Sequence, residues 1–312
     1  MLMEDNNNTP QSEEKQTGKN RDLPRWFVTF GFAVMVVLFG VRFIAIPISN
    51  KGIEPFWGGA LRLALAAIVL LFVVAARKPA FPNARGMFFS LIYGFFSVGL
   101  NIGLMYWGLL QVSSDIAAIV YAAVPLAVIV LSICFGLEKF RLRLIVGALL
   151  GLYGVEVMFG VAMGFGINLV SLIAVIGGAF FNAVGMIAAK KAQKVDPIVM
   201  NCAGFALGAA MLFAMSLLTS EAIALPAQQA TWLAIGFLVA VSVIGYSLNV
   251  YIIQQKSVSY ASFSNVLTPL VTIAASSVMF GEEVTPALLV GSGLIFAGLF
   301  FSGHLVIKKK PE

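Results

Sequence analysis

Charged side chains are scarce in this sequence: they make up 11% of its 312 residues, against 60% hydrophobic, and the mean hydropathy is +0.96. So few charges cannot clothe a water-soluble domain of this size, and that class is excluded. Histidine occurs once, at His304, with no partner residues from which to build a metal centre, so no metal and no cofactor are expected. Cysteine occurs twice, at Cys134 and Cys202, each inside an apolar run, which excludes a disulfide framework. Alternation of polar and apolar residues at period two, the mark of a membrane barrel strand, is missing. The glycines from Gly160 to Gly166 lack the Lys-Ser/Thr ending and preceding strand of a phosphate loop. No apolar run precedes Trp26, which predicts no secretory signal peptide and a disordered cytosolic tail over residues 1–25. The net charge of +6 lies on loops, so no nucleic-acid partner is expected.

Long apolar runs are what the chain has in quantity. Ten can be drawn, at roughly 26–48, 55–76, 86–110, 115–137, 144–163, 168–190, 198–219, 230–253, 259–280 and 287–307. About 20 apolar residues cross ~30 Å of hydrocarbon as a helix. Helix is the default because backbone polar groups in lipid must be satisfied internally. Turn and charge signals separate the runs, among them Ser49-Asn50-Lys51-Gly52, Arg77-Lys78-Pro79 and Leu225-Pro226. If the N-terminus is cytosolic and the helices alternate, seventeen Lys and Arg fall on cytosolic loops and only Lys51 falls outside. Both termini are therefore predicted to be cytosolic, and the protein to be a multi-pass protein of the cell membrane, the bacterial inner membrane.

The stretch Asp115–Gly154 is written twice. At an offset of 144 residues its forty positions share eleven identities with Ser259–Gly298, including Pro125 with Pro269, Glu138 with Glu282, Gly147 with Gly291 and Gly154 with Gly298. Five helices per copy is an odd number, so the copies insert upside down relative to each other. The surroundings agree: Glu138 sits in a basic loop, Glu282-Glu283 in a loop with no basic residue. The expected architecture is all-α and integral to the membrane, ten transmembrane helices as two inverted five-helix repeats over 26–163 and 168–307, followed by a basic cytosolic tail at 308–312.

With these features the chain resembles the EamA-type family of the drug/metabolite transporter superfamily. The resemblance covers about 26–307. It rests on the two five-helix repeats, the Ala-Leu-Arg62-Leu-Ala-Leu-Ala stretch, Pro125…Glu138, and Thr268-Pro269-Leu270…Phe280-Gly281-Glu282. Leu137 stands where the family pattern has glycine before the glutamate, and Arg42 where it has an apolar or small residue. Membership implies a solute carrier, often an exporter of amino acids or related metabolites, and gives Arg62 a structural cast.

Ionisable groups inside membrane spans carry the functional information, because each costs ~2.5–3.5 kcal/mol on insertion scales unless paired or hydrated. Arg42, Arg62 and Glu156 come to similar depth in the outer half of the bilayer, with Asp115 slightly nearer the outside. They could form a site with one Arg–Glu pair and one Arg free for a carboxylate, or a closed network that only ties helices together. Asp115 also suits a helix N-cap after Ser113-Ser114. Glu156, if held in a partly dry cavity, could couple transport to protons. Asn101, Tyr106, Tyr121, Asn182, Tyr246, Asn249, Tyr251 and Asn265 are either site lining or interhelical hydrogen bonds. Tyr121 and Asn265 occupy matched positions, one helical turn before each proline. Pro125 and Pro269 remove backbone hydrogen bonds within spans and are candidate gating kinks, or static bends. The glycines of the fifth and tenth helices predict close packing.

The function expected is a secondary active transporter in the lipid bilayer, not an enzyme. It exports a small-molecule solute, an amino acid or organic acid, by alternating access. The alternatives are an exporter of cationic drug-like compounds and an integral-membrane enzyme, for which no cluster of His, Asp or Ser can be assembled.

Overall fold

Apolar runs punctuated by capping residues fold here into helical rods. The computed structural model describes residues 25–159, 168–192, 194–280 and 286–301, and among these there is no strand. Expectations about the tail before Arg25, Gly160–Gly166, Glu282-Glu283, His304 and 308–312 fall outside the described residues. The rods are α1 (Arg25–Asn50), α2 (Pro55–Arg77), α3 (Ala84–Gly108), α4 (Ser114–Cys134), α5 (Leu142–Phe159), α6 (Leu169–Lys191), α7 (Pro197–Leu218), α8 (Gln229–Gln255), α9 (Val258–Ser262 continued by Ser264–Phe280) and α10 (Pro286–Phe301). Eight helices among the described residues are long and apolar enough to cross a membrane, with a shorter apolar stretch at Leu142–Gly154. Over the described residues alone, α5 and α10 extend ~27 Å and ~24 Å at 1.5 Å per residue.

The starts follow local chemistry. Asn83 accepts from Gly86 N (2.8 Å), Asn168 from Ser171 N (3.1 Å) and Asp196 from Ile198 N (2.8 Å), satisfying amides that a helix leaves open. Proline opens α2 and α7 where its missing N–H costs nothing. At α4 the cap is Ser113, whose Oγ accepts from Ile116 N, and not Asp115. Asp115 lies in the first turn, where a carboxylate meets the positive end of the helix dipole.

Packing follows the duplication. α2 lies against α7, α5 against α10, and α4 against α9, each pair uniting matched members of the two halves. α1 packs on α8 and α9, and α6 correspondingly on α3 and α4. Glycine permits the closest approaches. A Cβ at Gly298 of α10 would stand 2.5 Å from the Gly147 carbonyl oxygen of α5, and one at Gly185 of α6 would stand 2.8 Å from Ser97 N of α3. The glycine stripe of the fifth and tenth rods is therefore a packing surface.

Two kinds of local departure from regular helix also occur in both halves. α3 contains a π-helical stretch, Gly94–Leu100, and α8 contains another, Val241–Tyr246. Shifted by 144 residues they overlap. α4 is broken at Ala123, two residues before Pro125, and α9 at Phe263, six before Pro269. In both, the chain tightens to i→i+3 bonds, Leu126 N to Ala123 O and Val266 N to Phe263 O.

Each end is tied by charged caps. Glu221 accepts from Phe56 N (3.1 Å) and Trp57 N (2.8 Å), closing the start of α2. Glu138 accepts from Ser259 N (3.1 Å) and Ser259 Oγ (2.8 Å), closing the start of α9. Lys190 donates to the carbonyls of Ile253, Gln254 and Lys256 at the end of α8. Charges placed this way satisfy orphan backbone groups and complement the helix dipoles.

Candidate functional site

Arg42 projects from α1 into the interior and is only 2% exposed. Its guanidinium carbon lies 4.6 Å from the ring centroid of Phe39, 5.0 Å from Phe43 and 5.4 Å from Tyr121, so three rings offer it their negative faces. Tyr246 and Phe205 complete the wall, their rings 5.8 Å apart, with Tyr246 edge-on to Phe39 at 5.4 Å. One hydrogen bond reaches the guanidinium's polar edge, a long one from Nη1 to Tyr246 Oη (3.4 Å). Nε and Nη2 are buried without an acceptor.

Arg62, fully buried on α2, is held differently. Its Nε donates to Leu238 O (3.1 Å) and Ser242 Oγ (2.9 Å) on α8, and its guanidinium carbon is 6.0 Å from the Tyr106 ring centroid. Both terminal nitrogens, Nη1 and Nη2, lack acceptors, as does the buried Tyr106 hydroxyl. The two arginines thus anchor to the same π-helical stretch of α8, at Ser242 and Tyr246. A buried unpaired cation is expensive, and arginine cannot escape the cost by losing its proton.

Tyr121 of α4 donates a hydrogen bond to Asn101 Oδ1, while Asn101 Nδ2 returns to Ser97 O (2.9 Å) on α3. Ser97 Oγ donates to Asn182 Oδ1 (2.9 Å) on α6. A polar chain therefore runs from the arginine cage across the other π-helical stretch. Asn265 is buried on α9, its Nδ2 bonded to Ser262 O (3.1 Å) and its Oδ1 without a donor. Asn249 is buried on α8, three residues beyond Tyr246. Pro125 stands two residues after the break in α4, and Pro269 six residues after the break in α9.

The expected Arg–Glu pair does not form. Glu156 continues the exposed stripe of α5 made by Leu142, Val146, Leu149 and Tyr153, whereas Arg42 faces inward. The similar depth expected from the sequence does not bring them together, because their helices turn these side chains to opposite sides. Sequence reasoning also left Phe39, Phe43, Ser97 and Ser242 out of the site. Phe39 and Phe43 stand three before and one after Arg42 on the same helix. That spacing places Phe39 on the arginine's own face, a signal hidden among so many phenylalanines.

An apolar cavity of ≈ 290 Å³ opens between α1 and α8, lined by Val41, Ile44, Ala45 and Ile48 on one side and Ala230, Leu233, Ala234 and Phe237 on the other. It begins one residue from Arg42 along α1.

Long apolar helices, a duplicated unit and a polar centre built from both halves define a multi-pass membrane protein of the transporter class. The family described as the EamA-like transporter family matches residues 26–160 and again 169–303. The chain belongs to this family. It is 25% identical to an uncharacterized transporter of Archaeoglobus fulgidus over 92% of this chain and 100% of that one. It is 27% identical to the uncharacterized inner membrane transporter YedA of Escherichia coli K12, over 89% and 91% of the two chains. It is 23% identical to the uncharacterized transporter YoaV of Bacillus subtilis, over 91% and 99%. A protein of known crystal structure shares the fold with a TM-score of 0.70 at 23% identity, over 90% of this chain and 98% of that one.

Proposed function

We propose that this transporter is a secondary carrier that moves a small polar metabolite bearing a carboxylate, by alternating access of two inverted five-helix halves. The observation that carries the reading is Arg42, buried among aromatic rings with Nε and Nη2 lacking acceptors. A planar carboxylate would satisfy both donors and neutralise the charge. Tyr121, Asn101, Tyr246, Asn182, Asn249 and Asn265 supply neutral polar lining, with Arg62 beyond them. Ten spans with both termini cytosolic place seventeen basic residues on the cytosolic side, and the exchange-symmetric packing supports the inverted pairing. Pro125 and Pro269, each downstream of a break in its helix, are the gates of this scheme. Export is the direction that the family resemblance favours. Cationic drugs fit less well, since the core of the site holds two guanidiniums and neither bonds to a carboxylate among the described residues.

Thermal-shift measurements with amino acids, organic acids and quaternary amines test the reading on wild type and Arg42→Ala. Carboxylates should stabilise the wild type and lose that effect in the variant. Equal stabilisation of both proteins would sink it.

A further inference from the structure

The pattern of unpaired nitrogens differs between the two buried arginines, and each pattern is chemically complete. Arg42 leaves Nε and Nη2 without acceptors, the side-on edge of the guanidinium. Arg62 leaves Nη1 and Nη2, the end-on edge. Either edge presents two parallel N–H donors that match the two oxygens of a carboxylate. If Arg62 only tied α2 to α8, its Nε contacts to Leu238 O and Ser242 Oγ would suffice, and the burial of two unsatisfied charged donors would remain a cost without return. Those Nε contacts fix the plane of the guanidinium and aim its fork, as a preorganised site requires.

Both forks hang from one stretch of α8. Tyr246 holds Arg42 and Ser242 holds Arg62, four residues or ~6 Å apart along a helix. Among the described residues the groups in contact with them are neutral: Tyr121, bonded to Asn101, on the Arg42 side, and Tyr106, its hydroxyl buried and unpartnered, on the Arg62 side. Among the described residues no carboxylate hydrogen-bonds to either guanidinium, so the pair adds two positive charges to an apolar interior.

We infer that the solute is a small dicarboxylate, one carboxylate seated on the Arg42 fork and the other on the Arg62 fork. This rests on the carboxylate site proposed above and narrows it. A monocarboxylate would leave one buried cation unpaired. A zwitterionic amino acid would bring an ammonium into a site that already carries two guanidiniums.

The test is calorimetric titration of the purified full-length protein with dicarboxylates from malonate to adipate, each against the monocarboxylate of the same carbon count. The wild type should bind its preferred dicarboxylate about tenfold or more tightly than the matched monocarboxylate, the factor a second charge-assisted contact supplies. Arg62→Lys keeps the charge and loses the fork. It should bring the two affinities together while monocarboxylate binding persists, which also reports that the variant is folded. Should Arg62→Lys not fold, Ser242→Ala, which frees one of the two Nε contacts, should narrow the same ratio. Equal binding of the two acids by the wild type, or an unchanged ratio in the Arg62 and Ser242 variants, overturns the dicarboxylate. The carboxylate carrier then still stands if Arg42→Met removes binding of both acids. Absence of any acid binding to the wild type overturns both readings.

Discussion

The two halves share an architecture and differ in charge. Each contributes five rods, a π-helical stretch in its third rod and a break before the proline of its fourth. Yet both buried arginines belong to the first half. The positions 144 residues on, Met186 and Ala206, are neutral. The second half answers with hydroxyls and a carbonyl: Tyr246 for Arg42, Ser242 and Leu238 for Arg62. Duplication supplies the shared frame, and divergence between the copies supplies the buried charge. A site lying on a symmetry axis between identical copies would be built from paired identical groups. Here the copies have specialised, one as cation and one as holder.

The comparison breaks most sharply at Arg42. Arg42→Met should abolish carboxylate binding and transport. It should also raise the stability of the ligand-free protein by about 1–4 kcal/mol, because an uncompensated buried charge is replaced by an apolar side chain of similar length. Binding assays and thermal unfolding check the two halves of that statement, and a ligand-free protein made less stable would show the rings and Tyr246 to compensate the charge fully. The reverse substitution, Met186→Arg, should destabilise by about 3–5 kcal/mol, since a cation would replace a buried apolar side chain.

Next come the contacts that both halves share. Gly185→Val would drive side-chain atoms into the Ser97 backbone and should cost about 1–3 kcal/mol in denaturant or thermal unfolding. Pro125→Ala and Pro269→Ala should each slow transport while leaving equilibrium binding close to wild type. If one proline matters and the other does not, the halves have diverged in mechanism as well as in charge. The smallest effect is expected at Glu156→Gln. On the exposed stripe of α5 this carboxylate lies away from the cage, so gradient-driven transport in vesicles should match the wild type. A collapse of transport there would restore a proton path through α5.

The two glutamates of the repeat extend the contrast. Glu138, from the end of the repeated stretch in the first copy, bonds Ser259, which begins it in the second. From sequence it was legible as a conserved beat of the duplication and a marker of loop charge. Its task as a helix cap across the halves depends on three-dimensional proximity over 121 residues of chain. Asp115 shows the same limit at short range. Three polar residues in a row, Ser113, Ser114 and Asp115, all have capping chemistry, and which one caps depends on the backbone angle at which the chain enters the helix.

Hydropathy, charge placement and an internal offset were enough to read a helical membrane protein, its duplication and its family, because these depend on one-dimensional periodicity and on solvent preference. Burial of Arg42 and Arg62 was legible for the same reason: lone charges in apolar runs of spanning length have few other places to be. Rotation about each helix axis is not written in such patterns when a helix is apolar all round. That rotation separated Glu156 from Arg42. It turned Phe39, Phe43 and Tyr121 around one guanidinium and hung both arginines from a single π-helical stretch of α8. Packing between helices, through glycine contacts and side-chain shape, sets such angles, and only the folded arrangement displays them.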